Sequence, residues 1–365
     1  MSAAPRSAGA YPVDAAAVVP SATPAAATSS RILPLRDATL ATLALIAAVA
    51  TGSGGGDDLD PALFGYLGAT LIAAFALAWR ASAFWRRPAS AFYGRALLRS
   101  LREPRRLRRS VAFAGRDLAA QEFLRRRSSL RWLAHMLLSL GTLASFAITL
   151  PLVCGWMHFA PVAERDYRVV LFTVPTLRFS VDGAFGWVLF HALALAAIAV
   201  VAGAGIFLVM RLRARRLPGV TSGFALAPLL LLLVVALTGL ALPASRGWPA
   251  AFRCAAVAHQ ASVVALLVAL PFSKLTHVLI RPLQLGARAV RAPGEPWQRC
   301  RSCGEGLAPA AQHAAVASLL AQRGIAAGHL DRCPACRRRE LAVAQARQVD
   351  SSFQARSAAP RRGIG

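Results

Sequence analysis

The chain has 365 residues, 56% of them hydrophobic, and a mean hydropathy of +0.50, which is too apolar for an ordinary soluble domain. Its formal net charge of +26 comes from arginines lying mainly between apolar stretches, as in the cytoplasmic loops of membrane proteins. A nucleic-acid binder needs a basic face on a soluble fold, so no nucleic-acid partner is expected.

Residues 1–36 are rich in Ala, Pro and Ser without apolar periodicity, and are expected to be a disordered leader. Residues 37–61 hold a weak first span and an outer loop. The apolar run from Ala38 to Gly52 ends in Gly-Ser-Gly-Gly-Gly-Asp-Asp. It is a retained span or, being short and preceded by Arg31 and Arg36, the core of a signal sequence; retention is favoured.

Stronger spans follow at about 62–83, 131–155, 183–210, 223–243 and 252–275. The segment from Arg80 to Arg131 carries fifteen arginines. Arg211-Leu212-Arg213-Ala214-Arg215-Arg216 closes the 183–210 span, and Arg281, Arg288 and Arg291 follow the last one. The opposite loops 53–60, 156–182 and 244–250 are short of positive charge. All basic loops therefore fall on one side, the cytoplasm, with both termini inside. The expected fold class is an all-α membrane protein: a bundle of six transmembrane helices, or five if the first segment is removed, with a small cytoplasmic four-cysteine metal-binding tail. Within the basic loop 84–130, the amphipathic stretch 91–130 either lies on anionic headgroups or docks an acidic cytoplasmic subunit. The two roles are compatible.

Four of the seven histidines fall within spans, where ionisable groups are costly and usually functional. His259 and His277 are eighteen residues apart. On an uninterrupted helix that is five turns and about 27 Å of rise, so both project from one face near opposite edges of a bilayer core. His135, just inside the cytoplasmic end of its span, matches His277 in depth; His191, some eight residues below the outer surface, matches His259. Two such pairs would give bis-imidazole ligation to two stacked haems. The alternative is histidines that hold helices together by hydrogen bonds.

The last span, with His259 followed by Pro271-Phe272-Ser273-Lys274-Leu275-Thr276-His277, resembles that of the nitrate reductase gamma-subunit type membrane cytochromes b. The related membrane subunits of sulfite-reduction-associated (Dsr) and heterodisulfide reductase complexes share this module. Arg131-Trp132-Leu133-Ala134-His135 and Thr238-Gly239-Leu240 followed by Arg246 are weaker likenesses. The resemblance covers about residues 62–282, a cytochrome b-like five-helix domain. It implies a prokaryotic inner-membrane protein with one or two b haems, exchanging electrons between the quinone pool and a cytoplasmic iron–sulfur or reductase subunit. The chain would be an electron-transfer subunit without the terminal catalytic centre. His135 with His277 would ligate the cytoplasmic-side haem. The nitrate reductase pattern has a second histidine ten residues after the first, where this chain has Ser145. Either His191 (or the more peripheral His158) replaces it as the partner of His259, or the outer haem is missing and His259 is a quinone contact or a relic. His191 is the favoured replacement.

Quinone-site candidates near the outer face are His158, Arg178, Asp182, Arg246 and Arg253. Lys274, the single lysine of the chain, either pairs with a haem propionate or snorkels at the helix end.

Residues 283–345 carry Cys300-Arg301-Ser302-Cys303-Gly304 and Cys333-Pro334-Ala335-Cys336, with twenty-nine residues between Cys303 and Cys333. In a reducing cytoplasm, two such knuckles favour a tetrathiolate metal site over disulfides. Zinc is the preferred metal, with a single iron or an iron–sulfur cluster as alternatives, and shaping a docking domain is the expected role. Residues 308–328 read as an alanine-rich helix filling the intervening loop, and 346–365 as a disordered tail. Cys154 and Cys254 are expected to be buried thiols, with an outer-face disulfide as the alternative. Two other functions remain open: a haem-free transporter or proton relay with a zinc-binding tail, and a membrane-anchored zinc scaffold.

Overall fold

The computed structural model describes residues 24–214, 226–281, 283–291 and 294–358. The first part of the expected leader, the end of the basic run at Arg215-Arg216 and the last seven residues lie outside these. Six helices are long and apolar enough to cross a membrane: Ile32–Gly52, Pro61–Trp85, Ser129–Val153, Ala184–Arg213, Ala227–Ala244 and Pro249–Phe272. In hydrocarbon every backbone N–H and C=O must be paired within its own segment, so long apolar stretches become helices. The chain is a multi-pass, predominantly helical membrane protein.

Helix α1 (Pro24–Gly52) starts earlier than the composition suggests, so residues 24–36 are helical and not disordered. Its entrance is tied to α2 (Phe64–Trp85): Ser82 Oγ donates to Asp37 Oδ2 at 2.7 Å, and Arg86 forms an ion pair with the same carboxylate. The basic loop folds into α3 (Pro88–Arg102), α4 (Pro104–Phe113), a π-helical turn at Ala114–Ala119 and α5 (Glu122–Arg125). Proline opens both α3 and α4, where its missing N–H costs nothing.

After α6 (Ser129–Val153), the segment expected to be a plain loop is a three-stranded antiparallel sheet of β1 (Met157–Ala163), β2 (Asp166–Leu171) and β3 (Val174–Ser180). The β2–β3 turn places Phe172 (φ 48°) and Thr173 (φ 68°) in the left-handed region, as the twist of a two-residue hairpin turn demands. Phe159, Tyr167 and Phe179 pack with Phe185 and Phe190 from the next helix, ring centroids 5.5 to 6.4 Å apart. Trp156 Nε1 donates to the Ala48 carbonyl at 2.9 Å, fastening this edge to α1.

The bundle continues with α7 (Ala184–Ala214), α8 (Ala227–Ala244) and α9 (Pro249–Ala269). Neighbours run in the order α6, α7, α8, α9, α2, α1, and Phe146 of α6 closes the ring against Ala69, Ala73 and Leu267. A second apolar cluster, Val200, Leu232, Ala236 and Leu266, joins α7, α8 and α9. Two 3-10 turns (Leu270–Phe272 and Lys274–Thr276) lead to α10 (His277–Ile280) and α11 (Leu283–Val290). The last unit comprises β4 (Trp297–Arg299), β5 (Gly306–Pro309), α12 (Ala310–Ala321) and α13 (Pro334–Ala358). Helix α13 runs through most of the expected disordered tail, because residues 335–358 contain neither Gly nor Pro and are rich in Arg, Ala and Gln. The sheet lies at one end of the bundle, hereafter the sheet edge. The arginine-rich helices and the four-cysteine unit lie at the other, the basic edge, where α11 and α12 rest on α3.

Between α6 and α7 the backbones nearly touch. A Cβ on Gly203 would come 2.6 Å from the Ala134 carbonyl oxygen, and one on Gly141 would come 2.7 Å from that of Ala196. Close approach of this kind replaces the missing hydrophobic drive between helices in lipid. Gly203→Leu is expected to cost about 1–3 kcal/mol through overpacking and to lower the thermal midpoint in detergent. Gly205→Ala, with nothing within 4 Å, serves as the silent control. An unchanged midpoint for Gly203→Leu would mean that this contact contributes nothing to the bundle.

Candidate functional sites

The expected single helix through His259 and His277 is interrupted. The α-helix ends at Ala269, and Ser273 is extended (φ −95°, ψ 175°) between the two 3-10 turns. Pro271, fully buried, has no N–H to continue the ladder. Ser273 repairs the gap: its Oγ donates to the Leu270 carbonyl at 3.0 Å and accepts from Leu275 N at 3.2 Å.

Beyond this break, His277 Nδ1 lies 2.7 Å from the Lys274 carbonyl. A carbonyl only accepts, so Nδ1 carries a proton, and in the neutral ring the lone pair is then on Nε2, the arrangement that orients ligating histidines. His135 on α6 sits edge-on to Phe207 of α7, centroids 6.3 Å apart. Its Nδ1 is buried with no hydrogen-bond partner among the described residues. His277 and Arg281 are close enough to act electrostatically on its ring, and the Arg281 guanidinium lies over Phe123 at 5.2 Å. Lys274 is exposed. It serves His277 through its backbone carbonyl, which any residue there would supply.

In the sheet-edge half, His259 Nδ1 is 3.1 Å from Thr238 Oγ1, which itself donates to the Val234 carbonyl at 2.8 Å. With its proton on the Val234 carbonyl, the shortest of its contacts, Thr238 Oγ1 can accept from Nδ1, and the neutral ring of that tautomer has its lone pair on Nε2. The ring packs over bare Gly239, where a Cβ would come 3.1 Å from Cε1, and faces Tyr66 of α2 at 6.4 Å between centroids. His191 is not brought to it. That imidazole is exposed, stacks on Trp187 at 4.5 Å and bonds the Trp187 carbonyl through Nδ1 at 2.8 Å. No contact joins His191 and His259 among the described residues, since the His191 ring turns to Trp187 on its own helix; equal depth is not proximity. His158 is on β1, 3.8 Å from Asp58, and Ser145 turns its hydroxyl onto the Gly141 carbonyl at 2.9 Å. Neither supplies a second ligand beside His259.

Of the outer charged candidates, Arg178 pairs with Asp166 and Asp182 with Arg165 within the sheet region. Arg246 and Arg253 are exposed. Tyr66, Thr238 and Gly239 form the actual surroundings of His259. The sequence's one signal for them is the Thr238-Gly239 pair.

The four tail cysteines come together, with all sulfurs of Cys300, Cys303, Cys333 and Cys336 within 4.8 Å of one another. Cys300 follows β4, Gly304 (φ +75°) turns the chain back towards β5, and Cys333 immediately precedes α13. The Cys303–Cys333 sulfur separation is 3.7 Å, against about 3.8 Å for the edge of a tetrahedron with zinc–sulfur bonds of about 2.3 Å. Cys333 N donates to Cys300 Sγ at 3.2 Å and Cys336 N to Cys333 Sγ at 3.4 Å. Backbone N–H donation, led by Cys333, draws the Cys300 thiol down to about 6, whereas the neighbouring cysteine sulfurs push Cys336 up to about 12. Like charges crowd here, and a bound cation relieves them. Helix α12 fills the long loop, as its alanines suggest, and Arg301 N donates to the Asp331 carbonyl at 2.8 Å, locking the two knuckles. Cys154 is buried but Cys254 is exposed, and both are free thiols.

No protein-family model matches the chain, no curated protein is detectably similar in sequence, and no solved structure is detectably similar in fold.

The sulfur geometry predicts one divalent metal per chain in elemental analysis of purified protein. Cys300→Ser and Cys333→Ser are expected to lose it. A strong chelator should expose α12 to proteolysis while leaving the spans intact. Wild-type protein free of metal after expression in zinc-supplemented medium would refute the site.

Proposed function

We propose that this chain is the membrane haem b subunit of a prokaryotic respiratory redox complex, passing electrons between the quinone pool and a cytoplasmic iron–sulfur or reductase partner. The single observation that carries this reading is the pair at the basic edge: His135, whose buried Nδ1 has no hydrogen-bond partner among the described residues, within electrostatic reach of His277, whose Nδ1 is turned to the Lys274 carbonyl. The sequence resemblance to nitrate reductase gamma-type cytochromes b points to the same two residues. When bound there, a haem supplies one-electron exchange at a potential set by its axial ligands and burial. Phe207 packs edge-on against the His135 ring, and the positive charge of Arg281, within electrostatic reach of it, would favour the carboxylates of a haem held there.

One haem, not two, is the reading the residues favour. His259 has no second imidazole beside it among the described residues, so it is assigned to a polar contact with quinone, oriented by Thr238 and lined by Tyr66. With arginines concentrated at the basic edge, that edge is assigned to the cytoplasm, where the four-cysteine unit, holding structural zinc, would form part of the docking surface for the redox partner. One observation favours a second reading, a haem-free proton relay: Thr238 lies within hydrogen-bond distance of both His259 and Ser262 inside the bundle.

A dithionite-reduced minus oxidised spectrum separates the two. Expected are b-type α and Soret bands at about one haem per chain, lost in His135→Ala and His277→Ala and retained in His191→Ala. Absence of these bands after expression with ample haem overturns the cytochrome reading. Two haems per chain would restore an outer site that the present arrangement does not provide.

A further inference from the structure

A cavity of about 270 Å³ opens at the basic edge between the π-helical turn and α11, lined by Phe113, Asp117, Phe123, Gln284, Arg288 and Arg291 among others. The π-turn that carries Asp117 is a wide, uncommon backbone form that recurs at functional sites. Arg288 is held in place from two sides: its guanidinium lies over the Phe113 ring at 4.4 Å and 3.5 Å from Asp117 Oδ2. The carboxylate occupies only part of a five-donor fork, so an oriented guanidinium still has N–H groups to offer. Arg291 is exposed at the same mouth and forms no ion pair among the described residues. Two guanidiniums against one carboxylate leave the cavity net positive, and two phenyl rings give it apolar walls.

We propose that this cavity binds the phosphate headgroup of an anionic phospholipid. Three observations favour lipid over an acidic protein segment. Helix α11 begins eleven residues after Phe272, the end of the last apolar helix, which puts it at the bundle edge where headgroups would lie. The neighbouring basic helices expose Leu98, Leu101 and Val111, 57%, 44% and 61% accessible respectively, as surfaces immersed in the interface do. The phenyl walls suit the glycerol and upper acyl carbons that adjoin a headgroup phosphate. Basic pockets at the cytoplasmic end of helices are a known kind of headgroup site. The assignment does not depend on haem content.

The full-length protein, purified in mild detergent, is examined by native mass spectrometry and thermal unfolding with added phosphatidylglycerol, phosphatidylcholine or inorganic phosphate. Phosphatidylglycerol is expected to be retained at about one per chain and to stabilise the protein; the other two should do neither. Arg291→Gln, which disturbs no ion pair, should weaken retention on the order of fivefold, and Arg288→Gln with Arg291→Gln further. The control pair Arg105→Gln with Arg108→Gln, on α4 but outside the cavity, should leave it unchanged. An equal loss in the control would reduce the effect to diffuse surface charge and overturn the site. Stabilisation by inorganic phosphate alone would make it a soluble-anion site. No preference for phosphatidylglycerol over phosphatidylcholine would leave the cavity to an acidic partner. Either of these last two results also overturns the proposal.

Discussion

A polypeptide in hydrocarbon has no water to satisfy its amide groups, and that constraint arranges everything else in this molecule. Six segments meet it by becoming uninterrupted helices through the apolar zone. Every departure from regular helix is pushed to an edge: the sheet and its left-handed turn at one end, the π-turn, the Ser273 break and the cysteine knuckles at the other. Where the ladder gives out after α9, a serine hydroxyl supplies a donor and an acceptor. Chemistry follows the same sorting, since backbone freed from the ladder is what orients side chains. The Lys274 carbonyl can fix the tautomer of His277 because the helix has already given way around it.

The bundle is held by contacts of very different character at its two sides. Between α6 and α7, glycine lets backbone meet backbone, so the helix carrying His135 has almost no freedom relative to the one carrying Phe207. On the other side of the ring, α9 meets α8 and α2 through side chains, including the polar set around His259. This asymmetry suits one tightly defined site near the basic edge and a looser polar region in the opposite half. A small molecule that must enter and leave is better served by the second, a permanently held group by the first.

Much of the architecture is legible in the sequence because hydrophobic runs and arginine clusters report directly on what lipid and headgroups tolerate. The positions of the spans, the gathering of the four tail cysteines and the helix filling their loop all follow from local composition. The sheet at 157–180 is not legible, because its strands are short and its turn uses Phe172 and Thr173 where glycine or asparagine normally gives the signal away. The surroundings of His191 and His259 are hidden for a different reason. Depth along a span can be counted from the sequence, but the direction in which a ring turns cannot, and His191 turns to Trp187 on its own helix. Helical-wheel arithmetic for His259 and His277 runs through Pro271 as though it were any residue. Each 3-10 residue turns the chain by about 120° where an α residue turns it by about 100°, so counting does not fix the azimuth of His277.

That interruption divides the two histidines mechanically. His259 belongs to the rod of α9 and shares the fate of the bundle. His277 lies past the joint, at the start of α10 and six residues before α11, whose Gly286 seats that helix against the Tyr93 carbonyl of α3. The two imidazoles therefore sit on separately anchored pieces of chain, one on the rod of α9 and the other between the Ser273 break and the arginine-rich platform of α3 and α11. A change in the packing of α11 on α3 would bear first on the chain segment of His277, while His259 moves only with α9 and its neighbours α8 and α2.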